Sequence, residues 1–255
     1  GCQLRNVLGA GCGRANAMKK TSANLASMNL ESGNFMTDEF VISCTGLQCS
    51  AGDRVILDVG QLALKRGGTY LLSGANGAGK TTLLRVLAGL DRARCSAFSF
   101  DGETVDLAKY PAYVRRQIGF VHHHPVLFST SVQANIAFGL RAAGIGAAQA
   151  NLRANRAIEW AGIGNLVGRT PRGLSAGEKQ RVALARAHAL DPGVYLLDEP
   201  TANLDDEGRE LVTRLIDAIA AEGRTLLIAC HDRDLLGLPG VVRWHMTHGR
   251  LDPPL

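Results

Sequence analysis

From Glu39 onward the chain is a series of short apolar runs broken by turn residues. The segments "EFVISCTGLQC" and "RVILDVGQLAL" read as two strands with a Gly-Asp turn between them. "GTYLLSG" reads as a strand that runs into a glycine loop. The following "KTTLLRVLAGL" spaces its apolar residues as a helix does and meets Gly89 near its end. "AFSFDGETV" predicts a hairpin about Asp101-Gly102. The stretch from about Ala108 to Leu174 is alanine-rich and helical in pattern, "NLRANRAIEWAGI" included. Farther on, "VYLLDEP" and "TLLIACHD" are unbroken apolar runs that end in acids or histidine, the pattern of parallel strands buried on both faces, and helices such as "EGRELVTRLIDAIAA" alternate with them. The expected fold is α/β, with an antiparallel β portion at its start and a helical insertion in its middle.

Residues 1–35 read differently. They lack sustained periodicity and are rich in Gly, Ala, Asn and Ser, which predicts a poorly ordered tail or upstream extension. They contain no apolar core of signal-peptide length. The folded domain is accordingly expected over residues 36–255, with Met36 a candidate start.

Composition narrows the class. A hydrophobic content of 46% with 20% charged residues is ordinary for a soluble globular chain. No run reaches the roughly 18–20 apolar residues of a spanning helix, so a membrane role for this chain is expected to be peripheral. Of the net charge of +5, +3 comes from Arg5, Arg14, Lys19 and Lys20 against Glu31. The remainder is nearly balanced, which argues against a nucleic-acid partner. The six cysteines are scattered without a C-x-x-C pair, as expected of a reducing, cytoplasmic compartment.

"GANGAGKT", Gly74 to Thr81, fits G-x-x-x-x-G-K-[ST] between a strand and a helix. In such a loop the backbone N–H groups of Gly74, Ala75, Asn76, Gly77, Ala78 and Gly79 surround phosphate oxygens at a positive helix N-terminus. Lys80 then reaches the β- and γ-phosphates, Thr81 offers its hydroxyl to Mg²⁺, and Thr82 lies near the α-phosphate. "VYLLDEP" delivers Asp198 to the C-terminal end of a strand, where it holds the metal's water shell. Glu199 follows, placed to orient or deprotonate a water aimed at the γ-phosphate. ATP and Mg²⁺ are the expected substrate and cofactor.

At "LSAGEKQRVALARA", Leu174 to Ala187, the sequence resembles the signature of the ATP-binding cassette (ABC) family, which usually reads L-S-G-G-Q or L-S-G-G-E; here Ala176 holds the third position. "DEPTANLD", with the D-loop at Thr201 to Asp205, and "LLIACHD", with a switch histidine at His231, follow in the family's order, and the resemblance spans about residues 39–252. It implies a P-loop NTPase core with the helical subdomain, about 108–174, inserted between phosphate loop and signature. It implies head-to-tail pairing with a second copy, Ser175 and Gly177 of one chain closing over ATP held by the other and Asp205 at the same junction. Glu199 would be the base and His231 a contact of the γ-phosphate or the attacking water.

The function so implied is that of an ATP-hydrolysing subunit on the inner face of a membrane, working with separate transmembrane permease subunits. In the importer case a substrate-binding protein joins them. "PVLFSTSVQANIAFGLR" resembles cassettes of importers for tungstate or molybdate. The rival reading is a soluble or regulatory ABC-type ATPase with weak hydrolysis.

Two departures from the family pattern stand out. The region "LQCSAGDR" lacks the aromatic residue that usually stacks on adenine. Aligned on "IGFV" and "PVLF", His123 stands where the family carries a glutamine that reaches Mg²⁺ and water, and imidazole is a poorer partner than an amide oxygen for that ion. Slower or more pH-dependent hydrolysis is therefore expected. Strand alternation would send His122 and His124 to one face and His123 to the other, so the "HHH" run is not expected to share a metal.

Overall fold

The structure, a computed structural model, describes residues 39–230 and 240–252. In chain order its elements are β1 (Phe40–Ala51), β2 (Arg54–Lys65), β3 (Thr69–Ser73), α1 (Lys80–Leu87), β4 (Ala97–Phe100), β5 (Glu103–Thr104), α2 (Ala112–Arg116) and β6 (Ile118–Val121). There follow α3 (Val132–Ala142), α4 (Ala147–Trp160), α5 (Ala176–His188), β7 (Val194–Asp198), α6 (Asp206–Ala221), β8 (Thr225–Ala229), β9 (Val242–Thr247) and β10 (Arg250–Leu251). The expectations for the tail, for Met36 and for His231 lie outside the described residues.

A four-stranded antiparallel sheet has the order β2-β1-β4-β5. Its first hairpin turns at Gly52-Asp53, with Gly52 left-handed at φ 58°. Its second turns at Asp101-Gly102, both left-handed at φ 51° and 77°, the backbone that an Asp-Gly pair favours between two strands.

The larger sheet has the order β10-β9-β3-β8-β7-β6, and its strands from β9 to β6 run parallel. All five residues of β7 and of β8 are buried, which is why these runs carry no polar alternation. The helix α6 lays Val212, Leu215, Ile216 and Ile219 against this layer at helical spacing. Each such buried side chain contributes about 1.5–3 kcal/mol.

Within the stretch read as helical, Ile118–Val121 is a strand of the larger sheet, paired with β7, and the α-helices are the short α2 and the longer α3 and α4. The β9–β10 hairpin was not singled out by pattern. Its β9 strand alternates buried Trp244 and Met246 with exposed residues, a half-buried strand near the sheet's edge.

Candidate functional site

The parallel strands β3, β8, β7 and β6 are neighbours in that order, and residues just past the ends of β3, β7 and β6 form the wall of a cleft of about 770 Å³. After Ser73 the chain enters the loop Gly74–Gly79, with Gly74, Gly77 and Gly79 at φ 144°, 80° and 107°. A Cβ on Gly74 would stand 2.4 Å from the Met246 carbonyl oxygen, so β9 itself demands glycine there. The loop is closed by Ala78 N–H donating to the Ala75 carbonyl at 3.1 Å and is tied to the β9–β10 turn by Gly249 N–H donating to the Ala78 carbonyl at 2.8 Å.

Lys80, 5% exposed, donates to the carbonyls of Gly74 at 2.8 Å and Ala75 at 3.4 Å, and its Nζ lies 3.8 Å from Glu199 Oε1. Thr81 Oγ1 lies 3.0 and 3.1 Å from the two oxygens of Asp198, a carboxylate that is 1% exposed. Glu199 adopts a left-handed backbone at φ 45°, held by its N–H donating to the Ala229 carbonyl at 2.8 Å. A non-glycine residue held this way costs about 1–3 kcal/mol and persists where its surroundings fix it, typically at working sites. The hydroxyl of Thr81 and the carboxylate of Asp198 form an all-oxygen donor pair that fits Mg²⁺.

All the predicted residues from Ala75 to Thr82 line this cleft, as do His123 and Glu199; Gly74 and Asp198 lie directly behind them. Ser175, Gly177 and Asp205 do not line it. Ser175 caps α5 in a reciprocal arrangement, its Oγ accepting Glu178 N–H at 3.2 Å while its own N–H donates to Glu178 Oε2 at 2.8 Å. Asp205 caps α6 through Gly208 N–H at 2.9 Å. Gly177 is where the two helix starts meet, since a Cβ there would stand 3.1 Å from Gly208 Cα.

The histidine run differs from the sequence expectation because strand alternation stops at Val121. The chain then turns, His122 Nδ1 accepting His124 N–H at 3.1 Å, and the rings of His122 and His123 lie together with centroids 4.1 Å apart. Both face Asp198: His123 Nδ1 is 3.5 Å and His122 Nε2 is 3.9 Å from Oδ2. Burial, and then the neighbouring His123 ring, lower the pKa of His122 below the ordinary imidazole value against the opposing pull of Asp198. That His122 faces Asp198 was not foreseen from the sequence.

Arg54, Val55, Ile56 and His248 line the far end of the cleft and were also missed. His248 is left-handed at φ 48°, in a turn fixed by Asp58 N–H donating to the Gly249 carbonyl at 2.8 Å. Nothing in the local sequence of either segment announces that they meet.

Comparison with known proteins gives concordant results. A family model described as "ABC transporter" matches residues 57–202. An ABC transporter ATP-binding protein of Archaeoglobus fulgidus is 32% identical over 214 residues, covering 83% of this chain and 73% of that protein. The nickel import ATP-binding protein NikO of Rhodobacter capsulatus is 42% identical over 186 residues, covering 69% of this chain and 73% of its own. Among solved structures, cbiO1 from Clostridium perfringens, part of the ABC transporter complex cbiONQ, superposes with a TM-score of 0.73 at 30% identity over 85% of this chain and 88% of that one.

Proposed function

The chain belongs to the ABC transporter family as an ATP-binding ATPase subunit, and on that premise we propose that it drives transport by closing head to tail with a second copy of itself over Mg²⁺-ATP. The observation that carries this reading is the convergence of Lys80, Thr81, Asp198 and Glu199 on one glycine-walled cleft.

In this reading the N–H groups of Gly77 to Thr81, at the start of α1, bind the phosphates. Lys80 exchanges its contacts with the Gly74 and Ala75 carbonyls for phosphate oxygens. Thr81 and Asp198 would hold Mg²⁺, which when bound would neutralise charge on the phosphate oxygens. Glu199 takes the proton of the attacking water, and His123, which lines the same cleft, is assigned a place beside that water. His231 contacts the γ-phosphate from the segment after β8.

Ser175, Gly177 and Asp205, all at helix starts away from the chain's own cleft, are left to serve the cleft of the second copy. The base is held without an aromatic residue, between the aliphatic pair Val55 and Ile56, the Arg54 guanidinium and the His248 ring. No helix of the described residues is long and apolar enough to cross a membrane; the family membership is what supports separate permease subunits and a place on the membrane's inner face.

We read the complex as an importer of a small inorganic ion, joined by a substrate-binding protein. The relative from Rhodobacter capsulatus is named for nickel import. The tungstate or molybdate reading rests on the segment Pro125–Arg141.

The test is a Glu199→Gln variant. It is expected to bind ATP, to lose turnover, and to run as a dimer on size exclusion with Mg²⁺-ATP. A variant that binds ATP and remains monomeric would overturn the head-to-tail reading.

A further inference from the structure

The cleft wall and the residues directly behind it hold a donor set that an oxygen-seeking ion does not require. Ligand atoms of His122, His123 and Asp198 all lie within 4.8 Å of one another. Topology alone brings them together: β6 and β7 are neighbouring parallel strands with Val121 opposite Leu197, so the next residue of each, His122 and Asp198, emerges at the same end. The His122–His124 turn then swings the second ring onto the same carboxylate oxygen.

Donors bound to one ion at about 2.0–2.2 Å stand roughly 3–4 Å apart. The two separations from Asp198 Oδ2, 3.5 and 3.9 Å, already fall in that range, and with all three donors within 4.8 Å of one another a small ring movement brings the set onto one ion. Ligation through His122 Nε2 puts the imidazole proton on Nδ1 and so gives up the contact with His124 N–H, a loss of one neutral hydrogen bond in a half-exposed loop. Two imidazoles and one carboxylate suit borderline transition ions, for which nitrogen donors raise affinity along the Irving–Williams series, and they do not suit Mg²⁺.

We propose that His122, His123 and Asp198 bind one divalent transition ion of the Zn²⁺ or Co²⁺ class in the nucleotide-free protein, and that this ion withholds Asp198 from Mg²⁺-ATP. The site is then an inhibitory metal switch at the hydrolytic centre. Ion binding stands on the donor geometry alone, whereas inhibition rests on the ATPase reading given above.

The first measurement is a Co²⁺ titration of the full-length, nucleotide-free protein, followed by visible d–d absorption. One Co²⁺ per chain is expected, displaced by Zn²⁺. Both His122→Phe and His123→Gln should weaken binding by at least about tenfold. His124→Gln should leave the spectrum in place, and circular dichroism melts establish that each variant is folded. Should His122→Phe fail to fold, His122→Asn takes its place. Absence of the band, or its persistence at full affinity when both rings are replaced, overturns the site.

The second measurement is Mg²⁺-ATP hydrolysis against added Zn²⁺, with inhibition expected at concentrations that fill the Co²⁺ site. Binding without inhibition in an active ATPase overturns the switch and leaves the ion site standing. A protein that shows the Co²⁺ band yet hydrolyses no ATP under any metal condition speaks against the ATPase reading instead.

Discussion

The two ends of the cleft are built on opposite plans. At the phosphate end the shape is set by the backbone: three left-handed glycines, a loop closed on itself, and the side chains of Lys80 and Asp198 almost wholly buried. At the far end it is set by side chains on two hairpin turns, with Val55 57% exposed and no ring but the His248 imidazole. A buried, pre-organised backbone cradle gives tight and geometrically strict binding, because little has to be ordered when the ligand arrives. An exposed side-chain grip gives weaker and more permissive binding. The chain should therefore discriminate strongly for a triphosphate and weakly for the base.

The widest expected gap between the ends comes from Lys80→Ala. Charge-assisted contacts are worth about 1.5–3 kcal/mol each, so losing two should weaken ATP binding by roughly a hundredfold or more, as read by equilibrium binding of a fluorescent nucleotide. An affinity within fivefold of the wild type would mean that the loop backbone alone carries the phosphates.

Gly74→Ala comes next. It forces a Cβ to within 2.4 Å of the Met246 carbonyl at a φ of 144°, and a loss of about 1–3 kcal/mol in denaturant unfolding is expected, with nucleotide binding falling alongside. At the other end, His248→Ala and Arg54→Ala should each raise the KM for ATP only several-fold, and GTP should be used nearly as well as ATP. A tenfold preference for ATP that vanishes in either variant would show that the far end is stricter than its exposure suggests.

The smallest effect is one of pH, away from the cleft. His188 stacks on Trp160 with ring centroids 3.9 Å apart, and its Nδ1 lies 3.1 Å from the Tyr195 hydroxyl. Burial lowers its pKa from the ordinary value of 6.5, with Glu222 and Asp191 opposing and Arg224 adding to the shift. Below about pH 6.5 the unfolded chain therefore binds a proton that the folded chain resists. Stability should be full above that pH and decline as the pH falls toward the folded-state value. A His188→Gln variant should show a shallower decline in chemical denaturation between pH 7 and 5. Parallel curves for the two proteins would show that His188 is not the group responsible.

What could be read in the sequence follows the same division. The phosphate end is written in consecutive residues: a strand, a glycine loop and a helix start are one local pattern, and Asp198 and Glu199 follow from the end of one apolar run. The far end was illegible because Arg54 and His248 are distant in sequence and are brought to one cleft by long-range contacts, among them the hydrogen bonds that pin the Gly249 turn to Asp58 and Ala78 and the Arg250–Asp58 ion pair. His122 was illegible for a subtler reason. Its direction depends on the residue at which β6 stops, and a four-residue strand ending before a turn gives alternation too little length to fix that point. The strand Ile118–Val121 itself was legible as an apolar run ahead of the histidines, although it lies within a stretch whose composition is otherwise helical.

The contact of Gly177 with Gly208 has a mechanical consequence. Two helix starts touching backbone to backbone, with no side chain between them to flex, behave as a single lever. Under the head-to-tail proposal, a displacement of Ser175 would carry Asp205 with it, so neither helix start would close on a second copy without the other.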